Sequence, residues 1–565
     1  MIRFYCVCFL ALIAACGARQ AGRSGGGSAA VSLYEFPSAD EVSALASQPV
    51  SPRTVEAGLP SPEEWAASGP VPSSQAEGPH EEESLAGQGV TAYASSRPNV
   101  RATAAMACFA RELGTRWAEA PELPAASFRR YLAAYCGATM PEVRVLRRTV
   151  GPEGEIPAEA FDPTVLVDIF PEGSTLEIGA HFITSGDRRL VTIVGARLEA
   201  QMTNVRPEPS ERNTVRIAGR LLRPIEFLEA AINQGPYGVQ QCALNRSVQL
   251  PDFDILCRMD PNDHVAAITI RGGVRGHLLA IPVASVLARR PGTEGTPYRP
   301  TATGNPRPVT TPDEFASVLV ERVNGLRAAA NLAPVAHATE QSALLHRVTP
   351  VFFQARQQGD LRTVDTLAVG VLAGWNVGAS DLRSGDIGAM TEYGTPDPAQ
   401  WLSTFVAEPN GRDLLLDPEA RFLAVGATMI EGGVDVFAAT YQRFDGLDRD
   451  AASREVFELV AAAREARGLP APTRITNFPQ LDGQMDRVRE GKEPMSALQA
   501  ASQLAAPSWQ RGVRGVVFET TRLRSIQIPE RFLQPGPLSL CVSVTFRRAE
   551  GAPWAHYVVG ILFPD

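Results

Sequence analysis

The chain has 565 residues, a length that accommodates three or four domains, each able to bury its own core. Hydrophobic residues make up 44% of it, the composition of a folded protein, and the formal net charge of −9 argues against nucleic-acid binding. The sequence contains no P-loop, H-E-x-x-H or G-x-G-x-x-G motif, so the commonest nucleotide-binding and zinc-protease signatures are excluded.

The first sixteen residues have the pattern of an export signal. Arg3 supplies a positive charge, and residues 4–15 form an apolar run too short to span a bilayer. The I-A-A-C sequence that ends at Cys16 resembles a bacterial lipobox, which implies a signal peptide at 1–15, cleavage before Cys16, and a lipid on its sulfur that anchors the chain to a membrane. Gly17 favours the outer over the inner membrane, with the chain periplasmic or surface-exposed. The alternative is an ordinary signal peptide cut nearby.

Residues 16–99 are rich in Gly, Ser, Pro, Ala and Glu and contain few apolar clusters. This composition predicts a disordered tether between the anchor and the folded domains.

Two domains and a linker follow. Residues 100–200 contain two helical segments and then a strand pair, which predicts an α+β domain. Residues 201–292 contain several short alternating segments, such as TVRIAG at 214–219, which predict a small β-sandwich. Residues 293–309 are rich in Pro, Gly and Thr and are predicted to be a linker.

Five cysteines follow Cys16. In an oxidising compartment the local pairings are Cys108 with Cys136 and Cys242 with Cys257, so these four are disulfide candidates. Cys541 lies in an apolar alternating segment and is predicted to be a buried free thiol. No spacing matches a zinc site or a redox C-x-x-C pair.

Residues 310–446 begin with a strong helix signal. Thr311 and Glu314 form a capping box, and apolar residues follow at helical spacing, which predicts a helix over 312–328. Asp397 is expected to cap a second helix that carries Trp401. The apolar segments 423–429 and 435–444 are predicted to be adjacent strands.

Two motifs in this domain resemble the CAP superfamily, the cysteine-rich secretory protein fold. VNGLRAAANLAPV at 323–335 is similar to the family's N-x-x-R and G-L-x-P-L. The segment 401–426, which begins with WLSTF and ends with AVG, is similar to its W, S-P-x-H-R and G-V-G pattern. The resemblance implies a three-layer α/β/α lobe with a shallow ligand cleft, whose candidate residues are His346, Trp375, Asn376, Glu392 and Arg412.

The chain departs from the family where many members hold a divalent metal. The histidine before the arginine of S-P-x-H-R corresponds to Gly411, and the acid of the family's G-E-N motif corresponds to Trp375. Neither residue can be a metal ligand, because glycine has no side chain and the indole nitrogen only donates. His346 is interpreted as structural. We therefore expect no functional metal and no cofactor in this lobe.

Residues 450–565 repeat the preceding domain. The segment 457–472 aligns without a gap on 320–335 at an offset of 137, and Arg464 matches Arg327. The predicted architecture is thus α+β and multidomain, with tandem degenerate CAP-like lobes and a small β-sandwich. The N-terminal domain is a candidate third, diverged copy. His556 has no acidic partner at ligand spacing and is interpreted as a half-buried strand residue.

Two classes of function fit these observations. The first is a non-catalytic envelope lipoprotein whose ligand, a lipid, glycan or protein, is unknown. The second is a CAP-family hydrolase or peptidase with a non-standard site, for which His346, Glu392 and Ser403 are the residues to consider. The two differ in whether titratable side chains face each other across the cleft of residues 310–446.

Overall fold

The computed structural model describes residues 37–53, 58–59 and 85–564, the last range with gaps, the longest at 151–157, 293–300, 376–381 and 549–554. The chain divides into two compact units, one made of residues up to 46, 366–387 and 439–565, the other of 47–365 and 388–438. Both contain helices and strands, which confirms the α+β class. The division passes through the predicted 310–446 domain.

Part of the predicted tether is folded. Helix α1, Ala39–Ala46, strand β1, Gly58–Leu59, and helix α2, Leu85–Ser95, all lie within 16–99. Each helix buries apolar side chains: Val42 and Ala46 in α1, Ala86 and Val90 in α2. The prediction of a disordered tether is wrong for these segments, because short apolar pairs at helical spacing were hidden by the surrounding Gly, Ser and Pro residues.

Residues 85–198 form the first α/β region. Its remaining elements are β2, Val100–Ala102, α3, Ala104–Glu119, β3, Leu123–Pro124, α4, Ala126–Tyr135, β4, Arg144–Val150, α5, Thr164–Val167, β5, Leu176–Ser185, and β6, Arg188–Arg197. The sheet order is β2-β5-β6-β4, with β2 parallel to β5. Helix α2 packs against one face of this sheet and α3 against the other, so the domain begins at α2 rather than at residue 100.

Residues 200–289 form two four-stranded sheets with one shared core. The strands are β7, Ala200–Met202, β8, Thr214–Leu221, β9, Phe227–Gln234, β10, Gly238–Gln241, β11, Ala243–Leu244, β12, Asp252–Arg258, β13, Val265–Gly273, and β14, Ile281–Arg289. Their orders are β11-β12-β8-β7 and β10-β9-β13-β14. The alternating side chains of both sheets meet in a single apolar cluster, the arrangement of a β-sandwich.

The described part of residues 312–443 contains five helices and four strands. They are α6, Pro312–Ala329, β15, Ala336–His337, α7, Thr339–Gln358, α8, Leu361–Leu372, β16, Leu382–Tyr393, α9, Pro398–Val406, α10, Pro409–Leu415, β17, Phe422–Ile430, and β18, Gly433–Arg443. Thr311 caps α6 by accepting a hydrogen bond from the Glu314 N–H, and Asp397 caps α9 through the Ala399 N–H. Both predicted caps are confirmed. The sheet order β15-β17-β18-β16 confirms that β17 and β18 are adjacent.

Strand β17 is covered by helices on both faces. Leu423 and Val425 belong to the apolar cluster that includes Leu319 of α6. On the opposite face, an added Cβ at Gly426 would lie 2.5 Å from the carbonyl carbon of Leu345 in α7. Glycine therefore permits this close approach of helix and strand. The described part of this region thus has three layers.

The C-terminal region repeats this plan. Its elements are α11, Arg449–Glu465, β19, Thr473–Arg474, α12, Pro479–Arg489, α13, Pro494–Trp509, β20, Val513–Thr520, β21, Ser539–Arg548, and β22, Ala555–Pro564. The sheet order is β19-β21-β22-β20, and β19 is parallel to β21. Helix α11 contributes to the cluster on one face of the sheet, and α12 and α13 contribute to the cluster on the other.

The same strand order occurs in three sheets of the chain. In each, a short first strand runs parallel to the third strand, whose hairpin partner is the fourth, and the second strand pairs with the fourth. In each region, the first strand of the sheet follows one helix in the chain and precedes another. The strand order of the two regions that the sequence relates at an offset of 137 therefore recurs in residues 85–198, the region interpreted as a candidate third copy.

Matching arginines have matching bonds in two of these regions. Arg327 is fully buried and donates from Nε to the Ala333 carbonyl and from Nη1 to the carbonyls of Leu415 and Asp417. Arg464, at the offset of 137, donates in the same way to four carbonyls: Pro470, Phe532, Gln534 and Gly536. In each region one guanidinium joins the end of a helix to a later loop.

The cysteines pair locally. Disulfides join Cys108 to Cys136 and Cys242 to Cys257, the two pairings that the spacing favoured. Cys541 is a buried free thiol, which confirms its prediction. Burial, with a smaller contribution from the charge of Asp482, raises its pKa to about 12.

Candidate functional site

His346 has two partners in the described structure. Its Nδ1 lies 3.0 Å from the backbone nitrogen and 3.2 Å from the carbonyl oxygen of Ala427, so either tautomer of the ring can form a hydrogen bond to this residue. Nε2 lies 3.2 Å from Oδ1 of Asp313, a side chain that is 94% exposed. The backbone bond holds the ring against β17, while the pair with Asp313 lies at the surface.

A second histidine lies close to the first. His337 Nε2 is 3.0 Å from Ser342 Oγ, and that oxygen accepts the Val425 N–H at 3.0 Å. Burial and then the neighbouring His346 lower the pKa of His337. The neutral ring can therefore accept the proton of Ser342. This Ser–His pair was missed by sequence reasoning, although A-H-A-T-E-Q-S places the two residues five apart at a helix start.

Glu392 is a buried carboxyl. It is 1% exposed, and its Oε1 accepts from Gln400 Nε2 at 3.1 Å and from the Tyr393 N–H at 3.3 Å. Burial outweighs these hydrogen bonds and raises its pKa to about 7. Glu392 and His346 share no hydrogen-bond partner among the described residues, so the hydrolase arrangement of His346, Glu392 and Ser403 has no contact to support it.

Replacing Glu392 with Gln is expected to change the pH dependence of stability. The folded-state pKa lies above the ordinary value, so the native protein binds more protons than the unfolded chain between about pH 4.5 and 7, and its stability falls as pH rises through that window. The free energy of unfolding of the variant, taken relative to that of the wild type, should increase by about 3 kcal/mol from pH 5 to pH 8. Urea unfolding at the two pH values measures this. If variant and wild type differed in free energy of unfolding by the same amount at both pH values, this expectation would be contradicted.

Arg412 does not face a cleft in the described structure. Its Nε donates to the Val406 carbonyl at 2.8 Å, and its Nη1 donates to the carbonyls of Gly235 and Gly238 in the β9–β10 hairpin. Burial lowers its pKa to about 10, although the charge of Asp263 opposes this. The side chain joins α10 to the β-sandwich, and ligand binding by Arg412 stays a prediction.

Gly411 has no room for a side chain. A Cβ built there would lie 1.8 Å from the carbonyl oxygen of Phe405. The absence of a histidine at this position therefore has a local steric cause.

The other sequence candidates lie elsewhere. Trp375 follows α8 with a φ of 68°, and its Nε1 donates to Ser43 Oγ at 2.8 Å in the same unit. The indole is thus joined to α1, and a place for Trp375 in a ligand cleft stays a prediction. Asn376 and Cys16 lie outside the described residues.

The C-terminal region contains a line of ionisable side chains across three strands. His556 Nε2 lies 2.6 Å from Glu519 Oε2, and Arg547 Nη2 donates to Glu519 Oε1 at 2.9 Å. Burial alone would raise the pKa of Glu519, but the bonds from His556 and Arg547 lower it. His556 is 2% exposed, so the expectation of a half-buried histidine without an acidic partner is corrected. The sheet order brings β20 beside β22, which no local sequence pattern indicates.

A cavity of about 290 Å³ lies in the same region. Its walls are formed by two stacked aromatic rings, two arginines, a leucine and a threonine: Phe444, Phe546, Arg449, Arg489, Leu447 and Thr545. Arg449 forms an ion pair with Asp486. The guanidinium of Arg489 lies 4.7 Å from the centre of the Phe546 ring, and no described carboxylate forms an ion pair with it. The cavity combines an apolar aromatic wall with an uncompensated positive charge.

Within the described ranges, no three His, Cys, Asp or Glu side chains are grouped as ligands for one metal ion. None of the helices described here is long and apolar enough to cross a membrane.

No protein-family model and no curated protein matches the chain. Two solved structures are similar to part of it. One is an extracellular protein containing a SCP domain from Bacillus anthracis str. Ames, at 12% identity over 43% of this chain and 67% of that chain, with a TM-score of 0.18. The other is a cysteine-rich secretory protein from Staphylococcus aureus subsp. aureus Mu50, at 11% identity over 41% of this chain and 83% of that chain, also with a TM-score of 0.18. A TM-score this low supports no inference about function.

Proposed function

We propose that this chain is a membrane-anchored, extracytoplasmic binding protein without catalytic activity. The anchor is the lipid on Cys16 that the lipobox resemblance implies, and the outer membrane is the favoured location. Support for a non-catalytic role comes from the bonds of the candidate residues. Arg412 binds backbone carbonyls and Glu392 is buried beneath α9. Groups engaged in this way stabilise the fold rather than contact a substrate.

The ligand that the cavity of the C-terminal region fits best is a small organic anion with a flat apolar body. Such a body can pack against the stacked rings of Phe444 and Phe546, while its acidic group pairs with Arg489. The observation that carries this proposal is the absence of a described acidic partner for Arg489. A lipid with an acidic headgroup and an aromatic metabolite share this chemistry.

The probe for this cavity is 8-anilinonaphthalene-1-sulfonate, an aromatic sulfonate whose fluorescence rises on binding. Arg489→Ala should weaken its tightest binding to the purified chain about tenfold, the effect of one charge-assisted hydrogen bond. Arg487→Ala removes a neighbouring exposed arginine from the same helix, outside the cavity, and should change the affinity less than about twofold. Equal effects of the two substitutions would count against the proposed site.

One observation favours the hydrolytic alternative, the 3.0 Å contact between His337 Nε2 and Ser342 Oγ. Ser342 is 3% exposed, however, and its oxygen accepts the Val425 N–H, so it would have to give up a structural bond to attack a substrate. We expect no hydrolysis of p-nitrophenyl esters that depends on Ser342. An esterase activity lost in a folded Ser342→Ala variant would reject the binding-only proposal.

The anchor has a separate test. Cys16→Ser should move the full-length protein from the membrane fraction to the soluble fraction, because the substitution removes the sulfur that carries the lipid. Cys541→Ser is the matched control and should leave the distribution unchanged. Retention of the Cys16→Ser variant in the membrane fraction would show that the anchor is elsewhere.

A further inference from the structure

A buried carboxylate in the unit formed by residues 47–365 and 388–438 has an arginine as its partner. Asp435, on β18, is 1% exposed. Both of its carboxylate oxygens accept hydrogen bonds from Nη1 of Arg53, and Oδ1 also accepts from Thr391 Oγ1 at 2.5 Å. Arg53 belongs to the N-terminal segment that sequence reasoning assigned to the tether.

The surroundings of Asp435 match the shape and charge of a guanidinium group. Nη1 of Arg53 also donates to Thr391 Oγ1 at 3.3 Å, and its guanidinium carbon lies 5.3 Å from the centre of the Phe353 ring. A carboxylate, a hydroxyl and an aromatic ring are the groups that bind and stack on a planar cation. An unpaired charge this deeply buried would be costly, so the site requires a cation.

The segment that delivers Arg53 lies at the surface of this unit. Residues 47–52 are all exposed. The backbone N–H of Ser51 donates to Gln354 Oε1 at 3.2 Å, and the Arg53 carbonyl accepts the Glu431 N–H at 3.2 Å. Both of these hydrogen bonds are to solvent-accessible groups, where water competes for the same donors and acceptors. Within 47–53, Arg53 alone is not exposed, so its side chain is the part of the segment that is seated in the unit.

We propose that Asp435, Thr391 and Phe353 form a recognition site for an arginine presented by an extended peptide segment, and that Arg53 fills it within the chain until a competing segment displaces it. The sequence P-V-S-P-R at 49–53 is the template for the ligand: proline favours an extended backbone, and arginine follows it. The partner is therefore a protein with an exposed, extended, arginine-bearing segment. This inference goes beyond the proposed function and does not depend on the C-terminal cavity.

The site should distinguish arginine from lysine. A guanidinium group can stack on the Phe353 ring while it donates to both Asp435 and Thr391. An ammonium group is a compact, strongly hydrated point charge and cannot stack in this way. This selectivity separates a shaped site from simple attraction between opposite charges.

The test measures, by fluorescence polarisation, the binding of a fluorescein-labelled peptide of residues 47–53, SQPVSPR, to the full-length protein. The folded Arg53→Ala variant should bind it at least tenfold more tightly than the wild type, whose own Arg53 fills the site. A peptide ending in lysine should bind this variant at least tenfold more weakly. The double variant Arg53→Ala, Asp435→Asn should bind neither peptide.

Two results would overturn the proposal. The first is a folded Arg53→Ala variant that binds the arginine peptide no better than the wild type. The second is a double variant that binds it as well as Arg53→Ala does. If Arg53→Ala does not fold, Arg53→Lys is the second variant, because its ammonium group still supplies a positive charge to Asp435. The arginine peptide should displace this lysine and bind the variant more tightly than it binds the wild type. Binding to Arg53→Lys that is no tighter than to the wild type would equally reject the site.

Discussion

Arg464→Ala is expected to lower the free energy of unfolding of the C-terminal region by about 3–5 kcal/mol. The side chain is 1% exposed and donates to four carbonyls: Pro470, Phe532, Gln534 and Gly536. Alanine would remove four charge-assisted hydrogen bonds at once. The carbonyl of the buried Phe532 would be left without a donor, at a cost of about 1–3 kcal/mol before the structure relaxes, whereas Pro470, Gln534 and Gly536 are exposed and their carbonyls would turn to water. Lysine should recover little, because one ammonium group cannot reach carbonyls arranged around a planar fork.

Arg467 provides a matched control three residues along the chain. It forms an ion pair with Glu530, and their side chains are 48% and 67% exposed. Exposed pairs contribute about 0–1 kcal/mol, so Arg467→Ala should have a small effect. Urea unfolding followed by circular dichroism compares the two variants. If Arg464→Ala lost no more stability than Arg467→Ala, the carbonyl bonds would not be the link that holds this region together.

Gly411→Ala is expected to destabilise the unit that contains α10 by about 3 kcal/mol or more. The added methyl group would lie 1.8 Å from the carbonyl oxygen of Phe405 and 2.5 Å from its carbonyl carbon, so the backbone rather than a flexible side chain would have to move. Gly411→His should be at least as damaging. A histidine at this position would therefore disrupt the turn before it could act as a metal ligand.

Gly325→Ala is the control with the opposite sign. Gly325 lies inside α6, and nothing lies within 4 Å of the added methyl group. Alanine is favoured over glycine in a helix interior by about 1 kcal/mol, so this variant should be slightly more stable than the wild type. Thermal unfolding of both glycine variants measures the difference. A stable Gly411→Ala variant would mean that α9 and α10 can separate freely.

Local patterns predicted the local structure well. The capping box at Thr311 and Glu314, the cap at Asp397 and the hairpin strands β17 and β18 were all visible in short stretches of sequence. Each depends on residues that are neighbours in the chain, where spacing determines which groups can bond. The repeat at the offset of 137 also identified Arg464 as the counterpart of Arg327, although not the carbonyls that the two side chains bind.

Contacts between distant segments were not predictable in this way. The Glu519–His556 pair spans 37 residues, and the Arg53–Asp435 pair spans 382. Both depend on which strands and segments become neighbours in space, a property that the sequence pattern of either partner does not contain. The helices α1 and α2 were missed for a different reason, because they are short and their apolar residues are diluted by the composition around them.

The buried thiol of Cys541 affects which disulfides the chain forms when it is oxidised. In the unfolded chain this sulfur has an ordinary pKa and can attack either disulfide, so it competes with the four cysteines that pair in the native structure. Once β21 is packed, burial raises its pKa to about 12 and removes the reactive thiolate. Correct covalent pairing in the N-terminal half of the chain is thus protected by the folding of a C-terminal region that contains no disulfide among its described residues.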